Sequence, residues 1–223
     1  GVHEVGGLIG YAYLSKCLTL NNCFVGGKVE GNTNVGGFIG EVRLQGKDNL
    51  KFKGLNVISP QKYSNVKIVG KNNVGGFIGI IKGNNNNVQI ADQTKLITNV
   101  IGSGDCVGGM IGKFTEGSIK LTNKAVVISD SMSTITNTGS YTGGFIGYAE
   151  KVTVDAQNNF NFNGSIPKFE SFTRNVNCTV TGENYTGGAF GYVSYCAIDG
   201  LCVNATVTGN QQYTGGIIGY THF

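Results

Sequence analysis

Apolar and polar positions alternate along this chain at short range, and no long stretch repeats them at helical spacing. Apolar residues come in pairs and alternating triplets, as in Leu8-Ile9, Ile68-Val69 and Val152-Thr-Val154, and short runs of Asn, Thr, Ser and Gly separate them. A period of two marks a strand with one buried face. Val, Ile, Thr, Phe and Tyr dominate between the glycines, and β-branched and aromatic side chains fit a pleated, half-buried surface. The pattern predicts many short strands.

The strands recur as a unit. Seven heptapeptides share one form: Val5-Gly-Gly-Leu-Ile-Gly-Tyr11, Val35-Gly-Gly-Phe-Ile-Gly-Glu41, Val74-Gly-Gly-Phe-Ile-Gly-Ile80, Val107-Gly-Gly-Met-Ile-Gly-Lys113, Thr142-Gly-Gly-Phe-Ile-Gly-Tyr148, Thr186-Gly-Gly-Ala-Phe-Gly-Tyr192 and Thr214-Gly-Gly-Ile-Ile-Gly-Tyr220. The repeat glycines are Gly6, Gly7 and Gly10; Gly36, Gly37 and Gly40; Gly75, Gly76 and Gly79; Gly108, Gly109 and Gly112; Gly143, Gly144 and Gly147; Gly187, Gly188 and Gly191; Gly215, Gly216 and Gly219. Successive copies lie 30, 39, 33, 35, 44 and 28 residues apart. A second apolar stretch precedes most copies, as in Val29-Glu-Gly31 or Val180-Thr-Gly182, and a third follows, as in Ser118-Ile-Lys-Leu121.

A unit of about three short strands has no core of its own, so it is stable only when stacked on its neighbours. The expected fold is an all-β β-solenoid, or β-helix, of about seven coils with roughly three short strands each, forming a single repeat domain over 1–223. Gly is expected both at left-handed corners and where backbones approach closely, and Asn at the same corners. Strand alternation through the motif puts Val35, Gly37 and Ile39 on one face, and Gly36, Phe38 and Gly40 on the other. The row Ile9, Ile39, Ile78, Ile111, Ile146, Phe190 and Ile218 is expected to form an internal ladder. The two widest spacings imply inserted loops near 43–62 and 155–175, which hold the prolines Pro60 and Pro167.

The Gly-Gly-Phe/Leu-Ile-Gly core resembles the GLUG motif, a short repeat of surface proteins, including some bacterial IgA-cleaving peptidases. The resemblance spans residues 5–220 and implies a repetitive, solenoid-like surface segment. It does not imply peptidase activity, which belongs to a separate domain in such proteins, and no His-Glu-x-x-His occurs here.

Composition narrows the function. Gly makes up 37 of 223 residues, charged residues are 13%, and Asn, Thr, Ser and Gln supply the polar surface. The net charge of +4 is spread thinly, without the Lys/Arg cluster that nucleic-acid binding needs. No apolar run is long enough to span a bilayer. Six cysteines occur without a Cys-x-x-Cys, and the two histidines lie at the ends, so zinc is poorly served. A disulfide set fits better. Cys17 and Cys23, and likewise Cys196 and Cys202, hold matching places ahead of Gly36 and Gly215, which predicts bridges Cys17–Cys23 and Cys196–Cys202. Cys106 and Cys178 remain as buried thiols or as bonds to a neighbouring chain. Sequons at Asn163, Asn177, Asn184 and Asn204 fit an extracellular or cell-surface glycoprotein.

Sites of chemistry are sparse. The glycines lack the Gly-Lys-Ser/Thr and following helix of a phosphate loop. No Asp recurs in each unit, as calcium-binding repeats require. A polysaccharide-degrading β-helix needs carboxylates gathered in one groove, and the candidates Glu30, Glu41, Asp48, Asp130, Asp155 and Glu170 are scattered. Thr142, Thr186 and Thr214 share one repeat position and raise ice binding, though each follows a tyrosine. Tyr141, Tyr185 and Tyr213 share another position, and Tyr148, Tyr192 and Tyr220 a third, so both rows are expected to stack as ladders that stabilise neighbouring coils. The alternative for these rows, and for the two loops, is glycan binding.

No cofactor is expected, nor any enzyme activity. Two readings stand. One is an extracellular structural subunit of a filament, built head to tail by coil-on-coil stacking of copies through the terminal motifs. The other is an adhesin or glycan-binding stalk within a larger surface protein.

Overall fold

The computed structural model describes residues 3–45, 49–53, 57–58, 67–91, 94–96, 99–122, 133–156 and 175–223. Among them the regular elements are all strands. The strand pairings are parallel throughout, as between His3–Gly6 and Thr33–Gly36 or Val176–Gly182 and Val203–Gly209.

The sheets follow from the repeat. One strand from each motif copy enters a seven-stranded sheet in chain order: His3–Gly6, Thr33–Gly36, Asn72–Gly75, Val107–Gly108, Ser140–Gly143, Asn184–Gly187 and Thr214–Gly215. The stretches ahead of the motif make a six-stranded sheet: Lys28–Glu30, Lys67–Gly70, Asn99–Gly102, Thr134–Asn137, Val176–Gly182 and Val203–Gly209. The strands that begin at the motif Ile or Phe190, together with four further ones behind them, form an eleven-stranded sheet. Each rung is thus one turn of a parallel β-solenoid.

Register is strictly one to one at the motif. Val5, Val35, Val74, Val107, Thr142, Thr186 and Thr214 lie in one column. Ile9, Ile39, Ile78, Ile111, Ile146, Phe190 and Ile218 lie in another. The latter column is the expected internal ladder, and its members from Ile39 to Phe190 are fully buried. Burying one such side chain contributes about 1.5–3 kcal/mol.

The face assignment within the motif differs from expectation. GGxxG is two strands of different sheets with a bend between them, at Gly37–Phe38 in the second copy. Alternation breaks at the bend, so Val35, Phe38 and Ile39 are all fully buried. Phe38 stacks on Phe77 with ring centres 5.4 Å apart, and Phe52 meets Phe77 edge-on at 5.8 Å.

The motif glycines fill the close-approach half of their expected role and not the left-handed half. A Cβ on Gly76 would lie 2.1 Å from the Gly109 carbonyl oxygen of the next rung, and one on Gly79 would lie 2.5 Å from the Gly40 oxygen of the previous rung. These glycines permit close backbone approach. The left-handed residue is the one before each motif: Glu4, Asn34, Asn73, Cys106, Tyr141, Tyr185 and Tyr213 all have φ between 50° and 64°. One left-handed residue turns the chain into the motif strand at the same height in every rung.

The stretch near 43–62, expected as a loop, contributes two strands. Asn49–Lys53 pairs with Leu18–Asn21 and Asn86–Ala91, and Val57–Ile58 pairs with Phe24–Val25 and Lys95–Leu96. These are strands that the neighbouring rungs also have, and in the longer one apolar Leu50 and Phe52 alternate inward and are buried. Pro60 and Pro167 lie outside the described residues, as does nearly all of 155–175.

Candidate functional site

The left-handed residue before each motif and the residue after its last glycine stand side by side in each rung, and together they form a double column. Reading up the stack, the pairs are Glu4 and Tyr11, Asn34 and Glu41, Asn73 and Ile80, Cys106 and Lys113, Tyr141 and Tyr148, Tyr185 and Tyr192, and Tyr213 and Tyr220. The column changes character from polar to aromatic.

In its polar part, Glu41 is buried to 2% exposure and fully engaged. Asn34 Nδ2 donates to Glu41 Oε2 at 2.8 Å, Arg43 Nε to Oε1 at 2.9 Å, and Lys82 Nζ to Oε2 at 3.1 Å. Asn73 Nδ2 donates in turn to Asn34 Oδ1 at 2.8 Å. A buried carboxylate held by two cations and an amide is a structural anchor, since removing any partner strands charge.

The aromatic part is a double ladder of six tyrosines. Tyr141, Tyr185 and Tyr213 stack with ring centres 4.9 and 5.2 Å apart. Tyr148, Tyr192 and Tyr220 stack at 4.7 and 5.7 Å. The two rows interlock edge to face, as between Tyr141 and Tyr148 at 5.5 Å. Lys113 Nζ closes one end, 4.7 Å above the Tyr148 ring. Burial, with Glu150 as a second cause, pushes the Tyr148 hydroxyl up from its ordinary range, and burial does the same to Tyr141. Neighbouring rings cover one another's faces. The Tyr148 hydroxyl donates to Glu150 Oε2 at 3.2 Å.

Other acids are dispersed or compensated. Glu30 pairs with Lys28. Asp155 lies in register between Lys120 and Asp199. Asp48, Asp130 and Glu170 lie outside the described residues. Among the described residues no three His, Cys, Asp or Glu gather closely enough to hold a metal ion.

The expected bridges Cys17–Cys23 and Cys196–Cys202 are not formed in the structure. The sulfurs turn to local partners instead: Cys17 Sγ lies 3.7 Å from Thr19 Oγ1, Cys23 Sγ donates to the Asn21 carbonyl, and Cys196 Sγ to the Ser194 carbonyl at 3.2 Å. Cys106 and Cys178 are buried thiols, and burial pushes each up to about 12. A thiol so placed is a poor nucleophile, because the thiolate is the reactive form.

The sequons divide by position. Asn163 lies outside the described residues. Asn177 and Asn204 face each other on adjacent strands, with Asn204 Nδ2 donating to Asn177 Oδ1 at 2.9 Å. Asn184 accepts from the Gln212 amide, and its sequon partner Thr186 is fully buried.

Thr142 and Thr186 are likewise turned into the core, which removes both from any outward array. A different set of threonines faces outward on the six-stranded sheet: Thr134, Thr136, Thr179, Thr181, Thr206 and Thr208. The signal was present as Thr-x-Thr ahead of Gly or Asn in three successive units. Only the strand pairing puts it in register.

A shallow polar cleft of ≈ 470 Å³ opens at another corner, lined by Asn85, Asn86, Asn87, Glu116, Gly117, Ser118 and Lys151. Asn85, Glu116 and Lys151 repeat the left-handed geometry there, with φ of 57°, 60° and 52°.

These features define an all-β, parallel β-solenoid with stacked polar and aromatic columns along its length. No protein-family model, curated protein or solved structure matches the chain.

Proposed function

We propose that this chain is a non-catalytic structural segment of an extracellular filament or surface fibre, of the kind the GLUG-like motif implies, and that it lengthens by adding rungs to its end strands. The added rungs come from the same chain or from a second copy stacked head to tail. One observation carries the reading: register is one to one through all seven motif strands, so every rung offers the next the same edge. Parallel edges left unpaired are templates for further strands. The motif position between the second glycine and the Ile reports this. It is fully buried at Phe38, Phe77, Met110, Phe145 and Ala189, yet Leu8 is 49% and Ile217 52% exposed on the outermost described rungs.

Negative-stain electron microscopy across a dilution series tests self-assembly, with and without reductant. Uniform fibres that persist on dilution are the expected result. Short monodisperse rods at every concentration overturn self-stacking and leave a rigid stalk. For the stalk, glycan adhesion is the second reading, and the polar cleft beside Asn85 and Lys151 is the feature that favours it. It offers amides, a hydroxyl and both signs of charge to a polyol.

A further inference from the structure

Six threonines form a two-dimensional array on the outward side of the six-stranded sheet. Thr134, Thr179 and Thr206 make one column and Thr136, Thr181 and Thr208 the other, in register across three consecutive strands. Ile135 and Val180 between the columns are fully buried, which fixes the threonines on the opposite face. The spacing is set by the fold at about 4.8 Å between strands and roughly 6.6 Å between columns. Two strands of the array, Val176–Gly182 and Val203–Gly209, run seven residues, and the third, Thr134–Asn137, runs four, as Lys67–Gly70 does.

We infer that this array is an ice-binding surface. Thr206 and Thr208 are exposed and the other four half-exposed, so the face meets water. A single hydroxyl–water bond is nearly neutral against bulk water. A rigid lattice of such groups gains only from a ligand that repeats in the same two directions, where many weak contacts form at once. Ice is such a ligand. The methyl beside each hydroxyl keeps the intervening water from turning toward the protein.

Two further observations select ice over other partners. The array carries no charge, so it binds no polyelectrolyte. It also carries no aromatic ring, the platform a pyranose face stacks on, because the tyrosine columns lie along the seven- and eleven-stranded sheets. Asn177 and Asn204 border the array on its own face, so a glycan on either would cover it. This reading is independent of whether the solenoid is a rod or a fibre.

The test uses the chain made in a bacterial host, free of N-glycans. Thermal hysteresis and inhibition of ice recrystallisation are measured for the parent chain, for Thr179→Lys and Thr206→Lys within the array, and for Lys120→Ala on a different sheet. Far-UV circular dichroism and melting show which variants keep the fold. We expect activity in the parent and in Lys120→Ala, and a loss of tenfold or more in both threonine variants at unchanged melting temperature. An inactive parent overturns the inference, as does equal activity in all folded variants. Retention on insoluble polysaccharide that both threonine variants abolish also overturns it, and assigns the array to a crystalline glycan.

Discussion

Every motif copy demands a left-handed residue just before it, and the chain fills that place with Glu, Asn, Cys and Tyr rather than Gly. For a non-Gly residue the conformation costs about 1–2 kcal/mol. Tyr141, Tyr185 and Tyr213 recover it through stacking, and Asn34 and Asn73 through amide hydrogen bonds. Where no such partner exists, the strain should be visible. Lys151 has φ 52° at the second corner. Lys151→Gly is expected to leave the melting temperature unchanged or raise it by a few degrees, whereas the β-branched Lys151→Val should lower stability by about 2 kcal/mol; equal effects would contradict the strain. A different defect sits at Thr186, whose hydroxyl oxygen is buried without a hydrogen-bond partner. Four other copies have Val in that place. Thr186→Val is therefore expected to stabilise the fold by about 1 kcal/mol in chemical denaturation. The reverse holds for Gly79, where an added Cβ meets backbone at 2.5–2.6 Å. Gly79→Ala should cost about 1–3 kcal/mol or prevent folding.

Among the elements, the tyrosine double ladder and the Glu41 network occupy the same place in different rungs. Both tie each rung to the next through its corner, one by ring contacts and the other by charge. The stacked pair Tyr148 and Tyr192, 4.7 Å apart and nearly parallel, is suited to a double-mutant cycle with Ala or Leu. A coupling of about 0.5–1.5 kcal/mol is expected. A value near zero would mean the rings only fill space. The positions of both rows were legible in the sequence, because the motif sets a common origin from which Tyr can be counted. The acid–amide network was not, since Asn34 and Glu41 share no residue type with their tyrosine counterparts.

For the whole molecule, burial of tyrosines and cysteines couples stability to pH. The hydroxyls of Tyr141 and Tyr148 and the thiols of Cys106, Cys178 and Cys196 are all raised above ordinary values of 10.0 and 9.0, with burial the first cause. A raised folded-state value means that the folded chain holds these protons more tightly than the unfolded chain. Their contribution is fully present below the unfolded values and is lost as pH rises past them. The melting temperature should therefore change little between pH 7 and about pH 8, then fall steadily above about pH 9 as the unfolded groups ionise. A melting temperature that rises from pH 9 to pH 11 would contradict this assignment.

By itself the sequence determined the rung: its motif, its strand class, the common register of its copies and the inward Ile column. Those follow from spacing and alternation, which are local. Only the tertiary structure decided that the motif bends at Gly37–Phe38, that the left-handed corner falls on the residue before the glycines, and that 49–53 builds strand. It alone turned Thr142 and Thr186 inward while Thr134, Thr179 and Thr206 line up outside. Each of those outcomes depends on what the neighbouring rung places within a few ångströms, and one strand read alone does not contain its neighbour.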